Sequence, residues 1–348
     1  MADLSSEALA VVVVTYQSAA HLPDLIPAIV DQLREEDELV IVDNASDDGT
    51  PAVARSLSGR VNAIETGENL GFAGGCHVGV EATRAPLLLF LNPDSRPEPD
   101  CLQRLREAAS VHPDWGAWQA AVLLEDGRIN TSGGVVHFLG IGWAGDCDRP
   151  IAELPAHDCE IAFPSGAAMV VRREAWSTLG GLDRDYFMYG EDLDLGLRLW
   201  LSGRRVGLVP AARMIHSYEF DKGPSKWFWL ERNRWRTVLS VYPAALLLVL
   251  APALLAGELA LLAIAAREGW LRQKLRAQAA ALRALPSTLA RRRTVQRQRR
   301  IDASELASHL TSSLNSPYLA GAAQRPWLSA PQALYWWLAR HTLSLLAR

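Results

Sequence analysis

The stretch ELVIVDNASDDGT, residues 38–50, decides how the chain folds. Its first six residues are an apolar, β-branched run that predicts a buried strand over Glu38–Asp43. The next seven are turn formers, and Thr50–Leu57 then has helical spacing. A strand buried on both faces, a polar tip and a returning helix make one unit of a parallel α/β sheet. Working outward, the pattern recurs. Val11–Thr15 predicts a strand and His21–Leu33 a helix; Val61–Glu65 is a third strand, Gly71–Thr83 a small-residue helix and Leu87–Leu91 a fourth strand. Pro97 and Pro99 break the chain before an amphipathic helix over Cys101–His112. Residues 115–160, rich in Gly and Trp, read as strands and loops. Ala167–Arg172 and Val206–Val209 read as strands, Glu191–Leu201 as a helix with acids at its N-terminus, and Ser225–Val241 as a helix. The expected fold is α/β, Rossmann-like, with a mostly parallel central sheet flanked by helices.

Ligands of open α/β sheets bind beyond the carboxyl ends of the strands. Four polar clusters stand there: Thr15-Tyr16, Asp43-Asn44-Ala45-Ser46, Asn69-Leu70-Gly71-Phe72 and Asn92-Pro93-Asp94. Each alone is ordinary turn chemistry, and Asp43-Asn44 also fits a helix cap. Four on one edge point to a ligand.

The stretches VVVTYQS (12–18), VIVDNASDDGT (40–50), ENLGFAGGCHVGV (68–80) and LFLNPDS (89–95) are followed by FPSGAAMVVRREAW (163–176) and YFMYGEDLDLGLRLWLSGRRV (186–206). In order and spacing they resemble family 2 glycosyltransferases of the GT-A fold, and most of all the bacterial rhamnosyltransferase-like members, over about residues 9–242. The resemblance implies inverting transfer of rhamnose or another hexose from a dTDP- or UDP-sugar. The acceptor would be a hydroxyl of a saccharide or polyprenyl-linked molecule in cell-envelope polysaccharide synthesis, and the cofactor Mg²⁺ or Mn²⁺. It implies a nucleoside pocket of Thr15, Tyr16 and Asp43, an acceptor-only carboxylate suiting the N3–H of uracil or thymine. Asn69, Gly71, Phe72 and Gly74 would border the donor.

Asn92-Pro93-Asp94 stands where the family carries its Asp-x-Asp metal motif, with Asn in place of the first Asp. That leaves Asp94 as the secure metal ligand and puts Asn92 on the donor, directly or through water. His216 matches a histidine ligand of some relatives, although a lone His is more often structural. The resemblance makes Glu191-Asp192 the catalytic candidate, with Asp192 as the base that deprotonates the acceptor; the alternative is that these acids only complement a helix N-terminus. Ser165 and Gly166 fall on the acceptor side with Trp235. Glu231-x-x-Arg234-Trp235 stands where processive synthases have Gln-x-x-Arg-Trp; either Arg234 pairs with the donor diphosphate or this is an ordinary amphipathic helix with surface arginines.

The chain has 348 residues, 49% of them hydrophobic and 21% charged, as in a folded protein. Residues 1–230 carry 18 basic and 34 acidic side chains, and the rest carry 17 and 5. A catalytic domain over residues 1–242 and a helical, Arg-rich, membrane-associating region over 243–348 are expected. Ala244–Ala266 is almost wholly Ala and Leu, interrupted by Pro252 and Glu258. Residues 267–300 hold eleven basic residues against one acid, Glu268. Basic flanks prefer the cytoplasmic side, as does a catalytic domain fed by nucleotide sugars. The expected arrangement is therefore peripheral or monotopic at the cytoplasmic face, with Ala244–Ala266 lying in the interface or dipping in as a broken hairpin. Trp336 and Trp337 would anchor the end, and the alternative is a buried helix of a soluble oligomer. Val11–Val14 is too short for a signal peptide, and the four cysteines have no CxxC spacing. A nucleotidyltransferase is disfavoured because VVVTYQSAAHL lacks the glycines and basic residues of a phosphate loop. The acidic body and the Ala/Leu segment fit a membrane surface, not nucleic acid.

Overall fold

Leu9–Thr15 forms β1, and every one of its side chains is buried, as a continuous apolar run demands of a strand covered on both faces. The computed structural model describes residues 7–217, 225–314 and 326–346. They fall into two compact units. The first comprises Met1–Gly134, Ala144–Met188 and Arg204–Tyr218; the second comprises Val135–Trp143, Tyr189–Gly203 and Glu219–Arg348. The units are thus not divided by one cut near residue 242.

In the first unit, β1 is followed by α1 (Leu22–Val30), β2 (Glu38–Asp43), α2 (Thr50–Leu57), β3 (Val61–Glu65), α3 (Gly71–Glu81), β4 (Leu87–Leu91), β5 (Ser95–Pro97), α4 (Cys101–Val111), β6 (Trp115–Leu123) and β7 (Ile129–Thr131). The short hairpin of β8 (Gly134–Val136) and β9 (Gly142–Ala144) belongs mostly to the second unit, and the first continues with β10 (Cys159–Glu160), β11 (Ala168–Arg172), α5 (Arg173–Leu179) and, further on, β12 (Arg205–His216). The sheet order is β10-β12-β6-β11-β4-β1-β2-β3, with β5 on β12 and β7 on β6. β1 to β4 are parallel neighbours, whereas β11 runs antiparallel to both β4 and β6. Register puts Thr15 beside Asp43 and Asp43 beside Glu65, so the strand-end clusters share one edge. Helix α3 is built of small residues because it lies on β1. A Cβ at Gly75 or Gly79 would stand 2.5 Å from Val14 or 2.3 Å from Val12.

Strand β12 is three times as long as the expected Val206–Val209. Its pairing with β6 jumps from Val209 opposite Ala120 to Arg213 opposite Ala121, so Pro210–Ala212 bulge out before the ladder resumes. That break hides the second half of the strand from a periodicity reading. The resumed half pairs with β5, with His216 opposite Ser95.

The second unit holds α6 (Glu191–Leu201), α7 (Ser225–Val241), α8 (Ala244–Arg267), α9 (Leu271–Arg283), α10 (Leu285–Arg297), α11 (Ala303–Ser308) and α12 (Pro326–Leu346). α7 packs on α6, α9 and α10, and α8 packs on α9, α11 and α12. The expected broken hairpin does not form: α8 is one helix that runs through Pro252. Among the described residues it alone is long and apolar enough to cross a membrane, and little of it is buried. The Arg-rich stretch is not a uniform outer surface either. Lys274 is wholly buried on Glu231 and Glu258, Arg291 reaches Asp194, and Arg292 donates to the carbonyls of Leu239 and Tyr242 at 2.7 Å. Trp336 is likewise buried, stacked on Phe138 at 5.1 Å, while Trp337 is exposed.

Candidate active site

At the carboxyl end of the parallel strands, Asp43 is 2% exposed and accepts three hydrogen bonds. Thr15 Oγ1 donates to Oδ1 at 2.9 Å, Ser46 Oγ to the same oxygen at 2.6 Å, and Ser46 N–H to Oδ2 at 2.9 Å. A carboxylate has about four acceptor positions, so one further donor can be accommodated. The side chain therefore both fastens the turn after β2 and keeps acceptor capacity. Tyr16 beside it is half exposed. Asn69 Oδ1 accepts from Gly71 N–H at 2.9 Å, and Asn44 Nδ2 donates to Gly71 O at 3.0 Å. Gly71 has φ +70°, and a Cβ there would lie 2.4 Å from the Phe187 carbonyl oxygen, so only glycine fits. Phe72 is half-buried behind it. At Gly74 a Cβ would meet Leu70 at 2.7 Å. The buried Oδ1 of Asn44 has no hydrogen-bond partner among the described residues, so an acceptor faces this cradle unpaired.

The pairing of β12 with β5 brings His216 to Asp94. Nε2 lies 3.1 Å from Asp94 Oδ1 and 3.5 Å from Asn92 Nδ2, and Nδ1 lies 3.2 Å from Asn130 Oδ1. The histidine is 3% exposed. With Nδ1–H donating to Asn130, a neutral ring turns its Nε2 lone pair toward a carboxylate oxygen. Acceptor against acceptor is stable only with a proton or a cation between them. Asn130, on β7, was not foreseen from the sequence. It lies in the irregular stretch, and only the β6–β7 hairpin shows where it points. Gln119 was also missed: its Oε1 accepts Ser165 N–H at 2.7 Å and fixes the turn that carries Ser165 and Gly166 into β11.

In the second unit, α6 begins at Gly190, φ +85°, preceded by Tyr189 at φ +67°. Its three leading acids have three different environments. Glu191 is buried, its Oε2 without a hydrogen-bond partner among the described residues, and burial, followed by the charges of Asp192 and Asp194, pushes its pKa well above the usual carboxylate range. Asp194 is wholly buried; burial would raise it, but Arg198 at 2.7 Å and Arg291 at 2.6 Å hold it below its ordinary value. Asp192 is half-buried, with Oδ1 accepting from Leu193 N–H at 2.7 Å. Of the three acids it alone is not fully buried.

Arg234 has neither of the expected settings. Its guanidinium is buried between Glu231, at 3.0 Å, and Glu258, at 2.6 Å, and also donates to Leu139 O at 3.2 Å. Lys274 completes the cluster on the same two carboxylates. Two acids and two bases cancel, which is how buried charges become tolerable. Trp235 lies under Arg234, with the guanidinium 4.8 Å from its ring. Arg234 is thereby committed to its own unit's carboxylates.

The model of glycosyl transferase family 2 matches residues 10–133, and that of glycosyl transferase family group 2 matches residues 87–282. The N-acetylglucosaminyl-diphospho-decaprenol L-rhamnosyltransferase of Mycobacterium tuberculosis is 29% identical over 245 residues, 63% of this chain and 78% of that protein. The rhamnosyltransferase WbbL of Escherichia coli K12 is 38% identical over 78 residues, 22% of this chain and 28% of WbbL. Among solved structures, GalNAc-T7 with UDP, GalNAc and Mn²⁺ aligns with TM-score 0.56 at 15% identity, over 68% of this chain and 48% of that one, so the chain spans about half its length. S. aureus TarS aligns with TM-score 0.50 at 13% identity, over 96% and 90%. At such identities the structural likeness speaks for the fold, which is GT-A. The group 2 model alone spans more than half of the 348 residues, and the chain belongs to glycosyl transferase family 2, as a rhamnosyltransferase-like glycosyltransferase.

Proposed function

We propose that this glycosyltransferase inverts the anomeric centre as it transfers L-rhamnose, or a related hexose, from a dTDP- or UDP-sugar to a hydroxyl of a polyprenyl-linked saccharide. The mycobacterial relative names such an acceptor, an N-acetylglucosaminyl-diphospho-polyprenol. Asp192 takes the hydroxyl proton as the acceptor oxygen attacks the sugar C1, and the nucleoside diphosphate leaves from the opposite face. No covalent intermediate is needed, so one base suffices. Thr15, Tyr16 and Asp43 hold the nucleoside, and Asn69, Gly71, Phe72, Gly74 and Asn92 border the donor; Ser165, Gly166 and Trp235 serve the acceptor.

The observation that carries this reading is the Asp94–His216 pair, an oxygen and a nitrogen ligand facing each other beside Asn92. Asp94 and His216 would hold a divalent cation, Mg²⁺ or Mn²⁺, which would neutralise the leaving group's charge. The test is a donor screen that detects released nucleoside diphosphate in the presence of an N-acetylglucosaminyl-diphospho-polyprenol. Release with dTDP-L-rhamnose, dependent on the acceptor, is expected. Release of pyrophosphate from a nucleoside triphosphate and a sugar phosphate would instead make the chain a nucleotidyltransferase.

The membrane is the second element of the proposal. On α8 the exposed Leu248, Leu255 and Leu259 follow helical spacing, and on α12 so do Leu334, Trp337 and Leu338. Arg272, Arg276, Arg283 and Arg293 are exposed on α9 and α10. Apolar stripes with outward arginines in one unit suit an anionic bilayer surface, where each basic residue contributes about 1 kcal/mol. The protein is expected to sediment with vesicles containing anionic lipid. Leu255→Asp with Trp337→Asp should release most of it, while an equal mass of nucleic acid should not compete. A protein that stays in the supernatant would favour a buried-helix contact between copies.

A further inference from the structure

The base proposed above is bracketed by two polar clamps, one on each side of it in the chain. Three residues before Asp192, the carbonyl of Tyr189 accepts from Asn233 Nδ2 at 2.7 Å, and Asn233, on α7, is 1% exposed. Two residues after it, Asp194 Oδ2 accepts from Arg291 Nη2 at 2.6 Å, and Arg291 comes from α10. Arg291 also donates to Ser240 Oγ, and that hydroxyl in turn donates to Arg236 O at 2.6 Å. The three-way link ties α10 to both α6 and α7.

The first clamp acts on unusual backbone. Tyr189 at φ +67° is a bulky residue in the left-handed region, followed directly by Gly190 at φ +85°. A conformation of that kind is unfavourable for a bulky side chain and persists only where surrounding groups over-determine it. It sets the direction in which the chain enters α6. The second clamp places a wholly buried carboxylate between two guanidiniums, Arg198 and Arg291. An apolar contact there would serve stability at least as well. What a directional ion pair adds is a fixed position of the first helical turn, where Asp192 sits.

Resting on the reading of Asp192 as the base, we infer that Asn233 and Arg291 are positioning residues that hold that base in register with the acceptor hydroxyl. Part of the Arg-rich C-terminal segment thereby belongs to the catalytic apparatus and not to the lipid-facing surface. A general base displaced by about 1 Å loses of order a hundredfold in rate. Loss of one of two clamps should cost part of that.

The test uses the full chain with dTDP-L-rhamnose and an N-acetylglucosaminyl-diphospho-polyprenol in mixed micelles, with a melting curve for each variant. Asn233→Leu, close in size and without the donor, and Arg291→Met should each lower kcat about tenfold or more while donor KM stays within about twofold. Arg291→Lys, which keeps the charge, should recover most of the loss. Each substitution is then repeated in Asp192→Asn. Residues acting through the base change the residual turnover of that background by less than about twofold, whereas a general structural effect would lower it again. If Arg291→Met does not fold, Asn233→Leu and Arg291→Gln decide the matter. An inactive Asp192→Asn beside Asn233→Leu and Arg291→Met (or Arg291→Gln) of normal kcat would overturn the positioning role alone. A normally active Asp192→Asn would overturn the base reading, and the positioning role with it.

Discussion

Asp192→Asn is expected to reduce sugar transfer by about a hundredfold or more, the usual scale for losing a general base, while binding of the nucleotide sugar survives. The expectation follows from how α6 divides its acids. Asp194 is occupied by Arg198 and Arg291, and Glu191 is buried, with burial and the neighbouring carboxylates pushing its pKa well above the usual carboxylate range. Of the three, only Asp192 occupies a half-open position. Asn preserves its shape and its acceptor oxygen but takes no proton. Glu191→Gln provides the contrast: an amide resembles a protonated carboxyl, so this variant should retain far more activity. Single-turnover transfer together with equilibrium binding of dTDP measures both. Near-normal turnover of Asp192→Asn would remove it from this role.

The second large effect concerns Asp94 and His216. Chelation with EDTA should abolish transfer and Mn²⁺ or Mg²⁺ should restore it. Asp94→Ala should reduce kcat/KM by at least about a hundredfold, because a cation on a leaving diphosphate is worth several kcal/mol. Asn130→Leu tests the orientation of the ring, since it removes the acceptor that turns Nε2 toward Asp94. Losses of about ten- to a hundredfold in metal affinity are typical of such outer partners. Metal titration at fixed dTDP-sugar separates this from a fold defect. Full activity in chelator would show that cationic side chains alone stabilise the leaving group.

The parallel half of the sheet was legible because Val11–Thr15, Glu38–Asp43 and Leu87–Leu91 are apolar without interruption and end in turn residues. The family motifs added the later elements. What escaped was whatever depended on pairing across long sequence distances. Strand β12 reads as four residues until its bulge is allowed for, and the meeting of His216 with Asp94 depends on the half beyond the bulge. Asn130 and Gln119 are polar residues in an irregular stretch, and nothing local marks them. Arg234 illustrates a different gap. Its motif suggested the diphosphate, yet the decisive partner, Glu258, lies in an apolar helix where an acid looked like an obstacle to a span. In the same way Lys274, Arg291 and Arg292 look like the exposed arginines around them, and only packing shows that they point inward.

Glu258, Lys274 and Arg291 make the tail indivisible from the enzyme for anyone who wishes to handle it in solution. A fragment ended after α7 would be the obvious way to discard the apolar helix. It would also strip Arg234 of one carboxylate, Glu231 of one ammonium and Asp194 of one guanidinium. Among these ion pairs Arg234 and Glu231 would keep only each other and Asp194 only Arg198, and each buried polar group left unsatisfied costs about 1–3 kcal/mol, against a total stability of only about 5–15 kcal/mol for a typical protein. Solubility has to be engineered on the outward leucines, with the chain kept at full length. By the same logic, an exchange of C-terminal segments between relatives would succeed only if the inward-facing charges travelled together with α6 and α7.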